Sequence, residues 1–373
     1  MKLSITVSIL KSLLKRVDDS VKSSVQKRPQ HSSVLIRCSE KGSYLAGVNP
    51  ESTVQVIIPP DEIEDFEEGV ICAPMKKLTQ IIDKYQPTST ITITKLDEYS
   101  SQVKQGRSRQ KLSCIKSSEF SYSPSSDKLS AILEINRKEF ASALDIAASV
   151  ADKNHVNPRL KGVSLKATAN TFRVAASDGY RVAKANLSGS FDAEFEKLIP
   201  QESAVAIAKV ASRSKSGTVN VGFSSNSCII STEGLTLSTK LIDSNPIDYD
   251  KFIVEKGIPV SIYKDVLLRA ANLALTILKD TKYPVITLEI GKATLNIKAK
   301  GINGIDAMHT ELDCMYEREP YDVAINPLYL KEAIEGIPES VVNIIYDPSN
   351  SPVVSVLGAK SKSVSHHIMP VKI

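Results

Sequence analysis

An α+β fold made of three similar units is predicted by the sequence on three observations: a strand–Pro–helix junction that recurs at a fixed interval, amphipathic helical stripes in matching places, and short alternating strands between them. The junctions are Val70-Ile71-Cys72-Ala73-Pro74 before Met75 to Lys84, Lys197-Leu198-Ile199-Pro200 before Gln201 to Arg213, and Val323-Ala324-Ile325-Asn326-Pro327 before Leu328 to Gly336. Their prolines lie 200 − 74 = 126 and 327 − 200 = 127 residues apart. Proline suits the first helical position, whose N–H has no intrahelical partner, so each junction predicts a strand that runs into a helix. A chain of 373 residues admits two or three domains at about 150 residues each, and the repeat selects three.

A further helix opens each unit. Leu10, Leu13, Leu14, Val17 and Val21 recur at i, i+3, i+4, i+7 and i+11. Phe140, Ala143, Leu144, Ala147 and Val150 do the same in the second unit, and Val266, Leu267, Ala270, Ala271, Leu273 and Ala274 mark the stripe of the third. Alternating runs bounded by turn residues follow each helix: Val34–Cys38 and Val54–Ile58; Val163–Ala167, Phe172–Ala176 and Arg181–Ala185; Ile286–Ile290, Thr294–Ala299 and Met308–Leu312. Two helices against roughly eight strands per unit suit antiparallel sheets with helices on one side, since a parallel sheet needs a helix after nearly every strand. Ser123-Pro124-Ser125-Ser126-Asp127 and Ser244-Asn245-Pro246-Ile247-Asp248 read as the junctions, which sets expected domains at 1–126, 127–250 and 251–373.

Hydrophobic residues (42%) and charged residues (24%) match globular averages, so packed cores are expected and disorder or a fibre is not. The formal charge of +5 is too small for a surface that is basic throughout. It concentrates in residues 1–28, where Lys2, Lys11, Lys15, Arg16, Lys22, Lys27 and Arg28 face only Asp18 and Asp19. At 100° per residue Lys11, Lys15 and Lys22 fall within about 40° of one another, opposite the leucine stripe. That cluster has two readings, a solvated helix face or a contact to phosphates that reads no sequence. Lys76, Lys77 and Lys84 punctuate the second helix and Lys209, Arg213 and Lys215 the fourth, while the last two helices carry only Lys264, Arg269 and Lys331.

Cys38, Cys72, Cys114, Cys228 and Cys314 are odd in number and widely spaced, which predicts reduced core residues rather than a zinc site or a disulfide framework. The alternating start Met-Lys-Leu-Ser-Ile-Thr-Val reads as a strand with no apolar leader after it, and no apolar run is long enough to span a membrane, so a cytoplasmic protein is expected. Phosphate-loop, dinucleotide, nucleophile-elbow, zinc-protease and EF-hand motifs are absent from the sequence. Of the histidines, His31, His155 and His309 stand alone, and His366-His367 on a strand point to opposite faces, a poor ligand pair. Asp178-Gly179, within Ser177-Asp178-Gly179-Tyr180-Arg181, is first a hairpin turn and only distantly a catalytic aspartate.

Four segments carry a family resemblance: Gly106-Arg107-Ser108-Arg109-Gln110-Lys111-Leu112-Ser113; Arg159-Leu160-Lys161-Gly162-Val163 continuing to Ala176-Ser177-Asp178-Gly179-Tyr180-Arg181-Val182-Ala183; Ser238-Thr239-Lys240-Leu241-Ile242-Asp243 with Asp248-Tyr249; and His367-Ile368-Met369-Pro370-Val371-Lys372-Ile373. Through them the chain resembles the bacterial DNA polymerase III β-subunit family, the sliding clamps, along nearly its whole length. The resemblance implies three clamp domains per chain and a ring-shaped head-to-tail homodimer, with helices lining a central hole and antiparallel sheets outside. Such a ring encircles double-stranded DNA without sequence preference and tethers the replicative polymerase. It implies a non-catalytic protein with no cofactor and no membrane association, whose partners are the DNA polymerase III catalytic subunit, the clamp loader and other proteins with clamp-binding peptides.

Carried over position by position, the resemblance places a partner-peptide pocket at Leu160, Ser177, Gly179, Tyr180, Arg181, Val182, Ile247, Phe252, Val353, Ile368, Met369, Pro370 and Val371. It makes Lys11, Lys15, Lys22, Arg28 and Asn154 candidate DNA contacts, and Leu112 and Leu273 candidate residues of the dimer interface. Tyr180 stands where many members carry His, His367 replaces an aliphatic residue, and Gln110 and Asn272 occupy interface positions that are apolar in well-known members. Fewer apolar contacts imply a weaker interface, each buried apolar side chain contributing about 1.5–3 kcal/mol. Two other functions compete: a clamp paralogue that acts as a sequestering or drug-tolerant ligand-binding variant, and an enzyme using Asp178 with a histidine. A closed ring held by topology fits the modest charge, because tight phosphate binding would oppose sliding.

Overall fold

A computed structural model describes residues 1–21, 28–122, 131–191, 194–251, 253, 257–302, 304, 306–347, 349 and 352–372. One element order, strand, helix, strands, helix and three strands, runs through the chain three times, with five strands between the helices in the first pass and four in the others. The first pass is β1 (Lys2–Thr6), α1 (Val7–Val21), β2 (Ser33–Cys38), β3 (Ser43–Val48), β4 (Ser52–Ile58), β5 (Ile63–Glu67), β6 (Gly69–Pro74), α2 (Met75–Ile82), β7 (Thr90–Lys95), β8 (Ser100–Gln105) and β9 (Ser108–Ser113). The second is β10 (Ala131–Asn136), α3 (Arg137–Val150), β11 (Gly162–Thr168), β12 (Thr171–Ser177), β13 (Arg181–Ser188), β14 (Phe195–Pro200), α4 (Gln201–Arg213), β15 (Thr218–Phe223), β16 (Ser227–Thr232) and β17 (Leu235–Lys240). The third is β18 (Val260–Tyr263), α5 (Lys264–Ile277), β19 (Ile286–Gly291), β20 (Thr294–Lys300), β21 (Ala307–Asp313), β22 (Tyr321–Ile325), α6 (Pro327–Gly336), β23 (Val341–Ile345), β24 (Val354–Gly358) and β25 (Val364–Ile368). The class is α+β, and the described strand pairings are antiparallel.

The chain packs as two compact units, residues 1–144 with 199–243 and residues 145–198 with 244–373. In the first, a sheet ordered β5-β1-β7-β8-β9 accompanies one ordered β10-β15-β16-β17-β4-β3-β2-β6. The larger sheet joins two repeats through β17 and β4, which pair from Leu235↔Val56 to Thr239↔Ser52. In the second unit β14-β11-β12-β13-β25-β24-β23-β18 accompanies β21-β20-β19-β22. There the join is β13 to β25, from Arg181↔Ile368 to Ala185↔Val364.

Local chemistry accounts for the helices. In α1, Leu10, Leu13, Leu14, Val17 and Val21 are all buried, as their spacing predicts, and the opening N–H groups of Val7 and Ser8 donate to the carbonyls of Ser89 and Pro87 at 2.9 Å. α6 begins with Asn326, whose Oδ1 accepts from the N–H of Leu328 at 2.9 Å, and Pro327 occupies the first turn. Pro74 and Pro200 differ from expectation: they are the N-cap residues of α2 and α4, with ψ of 115° and 146°, and so finish the strand rather than start the helix. The α5 stripe also needs correction. Leu267, Ala270, Ala271 and Ala274 are buried, while Leu273 is 49% exposed, because it lies about 120° round the helix from Leu267. Four cysteines are buried and Cys114 is half-buried, all with free thiols; burial pushes Cys38 up to about 11 and Cys72 up to about 12.

Helix α1 approaches the sheet closely at Gly47 on β3, where an added Cβ would sit 2.6 Å from Val17 Cγ1 and 2.9 Å from Val21 Cγ2. Both contacts belong to residues anchored in the core, so neither yields cheaply. Gly47→Val is expected to lower stability by about 1–3 kcal/mol, read as an earlier urea midpoint with an unchanged slope.

Candidate functional site

In the second unit the hairpin β12–β13 turns through Asp178, Gly179 and Tyr180. Asp178 Oδ1 accepts the N–H groups of Tyr180 at 2.9 Å and Arg181 at 3.0 Å, and Ser177 Oγ accepts that of Gly179 at 3.0 Å. Gly179 takes φ +91°, the left-handed region, which glycine enters without a side-chain penalty. The turn lies against the end of β25: Arg181 is opposite Ile368, Val182 is opposite His367, and the N–H of Met369 donates to the carbonyl of Tyr180 at 2.9 Å. Three side chains stand out from this join, Tyr180 (64% exposed), Met369 (50%) and Val371 (38%). Leu160, Ser177, Val182, Val353 and Ile368 are buried, and the Leu160 Cδ1 lies 3.6 Å from where a Cβ on Gly179 would stand. Pro370 is half-buried, Ile247 packs on a cluster of Ala175, Val182 and Tyr249, and Phe252 lies outside the described residues.

Arg181 is held inside this arrangement. Its Nε donates to Asp178 Oδ2 at 2.9 Å, its Nη1 pairs with Glu332 of α6, and its guanidinium stacks 4.3 Å from the ring centre of Tyr329. The connector after residue 243 is pinned likewise. Arg173 Nη1 donates to both carboxylate oxygens of Asp250 at 2.7 Å, and Tyr249 is fully buried beside Val182. Sequence reasoning missed Tyr249, Arg173, Asp250, Tyr329 and Glu332 as site-building residues. The Asp248-Tyr249 segment was the one signal that pointed to them.

The two histidines of β25 face opposite sides and both are buried. His367 shares hydrogen bonds with the hydroxyls of Ser355 at 2.8 Å and Ser365 at 3.0 Å. The Nε2 of His366 lies 2.7 Å from a Cβ built on Gly336, so that glycine makes room for the ring. Burial, helped by the positive charge of Arg181, pushes His366 down to about 4. Burial, helped by Lys184 and His366, pushes His367 down to about 3.

The candidate DNA contacts fall on exposed positions in different settings. Lys11 pairs with Asp83 at 2.5 Å. Lys15 is exposed on α1 and borders a cleft against α4 of about 410 Å³, whose rim also carries Arg16, Lys209, Arg213 and Lys215. Two of those cations are engaged, Arg16 Nη2 donating to the Glu233 carbonyl at 2.8 Å and Arg213 pairing with Asp19. Arg28 is exposed at the end of the α1–β2 connection, Asn154 is exposed with its N–H on Asp152 Oδ1 at 3.0 Å, and Lys22 lies outside the described residues. Of the interface candidates, Leu112 lines a cavity of about 310 Å³ with Ile81, Lys84, Tyr85 and Gln110, and Gln110 there accepts a hydrogen bond from Tyr85.

Residues 134–246 match the family description "DNA polymerase III beta subunit, central domain" and residues 255–372 match its C-terminal domain. The chain is 26% identical over 352 residues to a beta sliding clamp of Pseudomonas putida, covering 93% of this chain and 94% of that one. It is 25% identical over 324 residues to the beta sliding clamp of Pseudomonas aeruginosa, covering 83% and 84%. Its fold superposes on a crystal structure of the Pseudomonas aeruginosa sliding clamp bound to griselimycin with a TM-score of 0.91, at 24% identity over the full length of both chains. On Caulobacter crescentus pol III beta the TM-score is 0.89 at 18% identity, again over both full chains.

The buried histidines make stability depend on pH with a defined sign. Their folded pKa values of about 4 and about 3 lie below the ordinary 6.5, so the unfolded chain takes up protons first as the pH falls. Their contribution is present above pH 6.5 and is lost as the pH falls from there, down to about 4 for His366 and about 3 for His367. Urea unfolding at pH 6.5 and 4.5 is expected to show His366→Leu losing about 2–3 kcal/mol less than the wild type between the two, whereas equal losses would mean His366 does not titrate on unfolding.

Proposed function

The chain belongs to the DNA polymerase III beta-subunit family of sliding clamps, and from that premise we propose how its own residues hold DNA, a second copy and partner proteins. It is a DNA sliding clamp of replication, a non-catalytic processivity factor, so the work of its surfaces is binding alone. The observation that carries the reading is the family match through two successive domains, joined to an element order that runs three times through the chain. We assign the three clamp domains to 1–126, 127–250 and 251–373.

The ring is proposed to close as a homodimer through β9 and β21. Each ends its sheet, and an end strand offers a row of unpaired N–H and C=O groups. The exposed side chains on β9 include Arg109 and Lys111, and those on β21 include Glu311 and Asp313, so antiparallel addition of β21 from a second copy joins opposite charges. The exposed Leu273 supplies an apolar side chain for the cavity beside Leu112. Two such head-to-tail contacts related by a two-fold axis close the assembly. Because Gln110 is hydrogen-bonded within that cavity, charge rather than apolar area sets this interface.

Inside the ring, Lys11, Lys15, Arg28 and Asn154 are the proposed contacts to duplex DNA, together with Lys22, which lies outside the described residues. Scattered contacts to phosphate read no sequence and exchange quickly, which suits sliding. On the outside, Tyr180, Met369 and Val371 form the proposed landing place for a partner's clamp-binding peptide, over Leu160, Gly179, Val182, Ile247 and Ile368. Ser177, Arg181, Phe252, Val353 and Pro370 complete the proposed pocket. The DNA polymerase III catalytic subunit and the clamp loader are its expected users, in the cytoplasm.

Topological binding predicts that protein loaded by a clamp loader onto a nicked circle stays bound through gel filtration in high salt and is released when the circle is cut. Retention on the linear product would contradict a ring. For the interface, Glu311→Lys with Asp313→Lys is expected to weaken dimerisation at least tenfold in sedimentation dilution series, and Arg109→Glu with Lys111→Glu in the same chain to restore most of it. No rescue would remove β9–β21 pairing as the closing contact.

A further inference from the structure

The strand join that carries Tyr180 and Met369 has a counterpart in the first unit that repeats its strand pairing and several of its turn hydrogen bonds. Asn49 Oδ1 accepts the N–H groups of Glu51 at 2.9 Å and Ser52 at 2.6 Å, as Asp178 does for Tyr180 and Arg181. Ser52 pairs with Thr239 as Arg181 pairs with Ile368, and the N–H of Lys240 donates to the Glu51 carbonyl at 2.9 Å as that of Met369 does to Tyr180. The offset is constant: 181 − 52, 368 − 239, 180 − 51 and 369 − 240 are all 129. An aromatic plug recurs at the same offset, since Phe120 is buried against Ala46 as Tyr249 is against Ala175.

Side chains on the two frames differ in kind. Leu160, Val182 and Met369 correspond at that offset to His31, Thr53 and Lys240, and Val353 corresponds by strand register to Ser227, so at these four positions an apolar side chain is replaced by one that can hydrogen-bond. These four line a cavity of about 590 Å³ together with Arg28 and Ser238. Its charged groups are Arg28, Lys240 and Glu51, a balance of one positive charge. Lys240 Nζ donates to the Pro50 carbonyl at 3.0 Å, which leaves the remaining N–H donors of the ammonium group for a ligand. His31 lines the cavity, and its Nδ1 is buried without a partner among the described residues.

We propose that this cavity is a second docking site, for an extended protein segment that presents acidic side chains, with Lys240 and Arg28 receiving the carboxylate and Thr53, Ser227, Ser238 and His31 fixing it. The proposal extends the peptide-site reading of the β13–β25 join, because the same backbone frame is taken to seat both segments. Charge complementarity selects an acidic occupant over an apolar one. Two unlike sockets on one chain permit two partners, or two motifs of one partner, to be held at once.

The test is fluorescence anisotropy of the full chain with two labelled probes, hexaglutamate and a leucine- and phenylalanine-bearing peptide. Hexaglutamate is expected to saturate, to weaken at least tenfold in Lys240→Met and in His31→Leu, and to bind Met369→Ala as well as wild type. The apolar peptide is expected to lose affinity only in Met369→Ala. Hexaglutamate binding that ignores Lys240→Met, or that fails in Met369→Ala, overturns the second site. A short DNA duplex that displaces hexaglutamate from wild type and loses its own affinity in Lys240→Met overturns it too, because the cavity is then a stretch of DNA-contacting surface. Failure of the apolar peptide alone removes the reading of the β13–β25 join and leaves the hexaglutamate result standing. Near-ultraviolet circular dichroism of each variant confirms the native fold.

Discussion

Everything that this chain does with its surface depends on strands from successive repeats pairing edge to edge. A single repeat would leave β4, β17, β13 and β25 with open rows of backbone donors and acceptors. Pairing β17 with β4 and β13 with β25 satisfies them and builds eight-stranded sheets. The join also fixes what lies at its end. Met369 is anchored to the carbonyl of Tyr180 and Lys240 to that of Glu51, so an exposed side chain from one repeat stands beside a turn from another. Such bonds are made by the backbone and do not depend on side-chain identity, so one frame carries an apolar set in one place and a polar set in the other.

The charges follow the same economy. On the helical faces of the first unit several cations are already engaged: Lys11 with Asp83, Arg213 with Asp19, and Arg16 with the Glu233 carbonyl. Lys15, Lys209 and Lys215 remain exposed. A surface of mixed charge holds phosphates weakly, and weak exchangeable contacts are compatible with a clamp whose retention comes from closure of the ring. The net charge of +5 alone argued against avid DNA binding, and the paired cations show how the local excess is moderated.

Much of the fold was legible because its signals are local. The stripes of α1 and α3 are read from spacing alone, and every residue assigned to them is buried. Asp178-Gly179 announces its turn, since a short carboxylate and a glycine at positive φ are what that turn requires. Leu273 was read into the α5 stripe and stands exposed, because composition does not reveal which edge of a broad apolar arc faces the sheet; only the family resemblance set it apart as an interface residue. The supports of the candidate site were less legible. Arg173 reaches Asp250 across 77 residues and Arg181 reaches Glu332 across 151, separations over which no periodicity carries information.

By itself, then, the sequence determined the class, the threefold order of elements and, through its resemblance to a known family, the residues to examine. Those properties rest on hydrophobic period, turn chemistry and motif, each expressed within a few neighbouring residues. Tertiary structure decided which strands join, that Arg181 is committed to Asp178 and Glu332, that both histidines of β25 are buried, and that residues 31, 53, 227 and 240 surround a cavity. These outcomes depend on strand register, and a register is set by contacts between segments far apart in the chain, where shifting a strand by one residue turns every side chain to the other face.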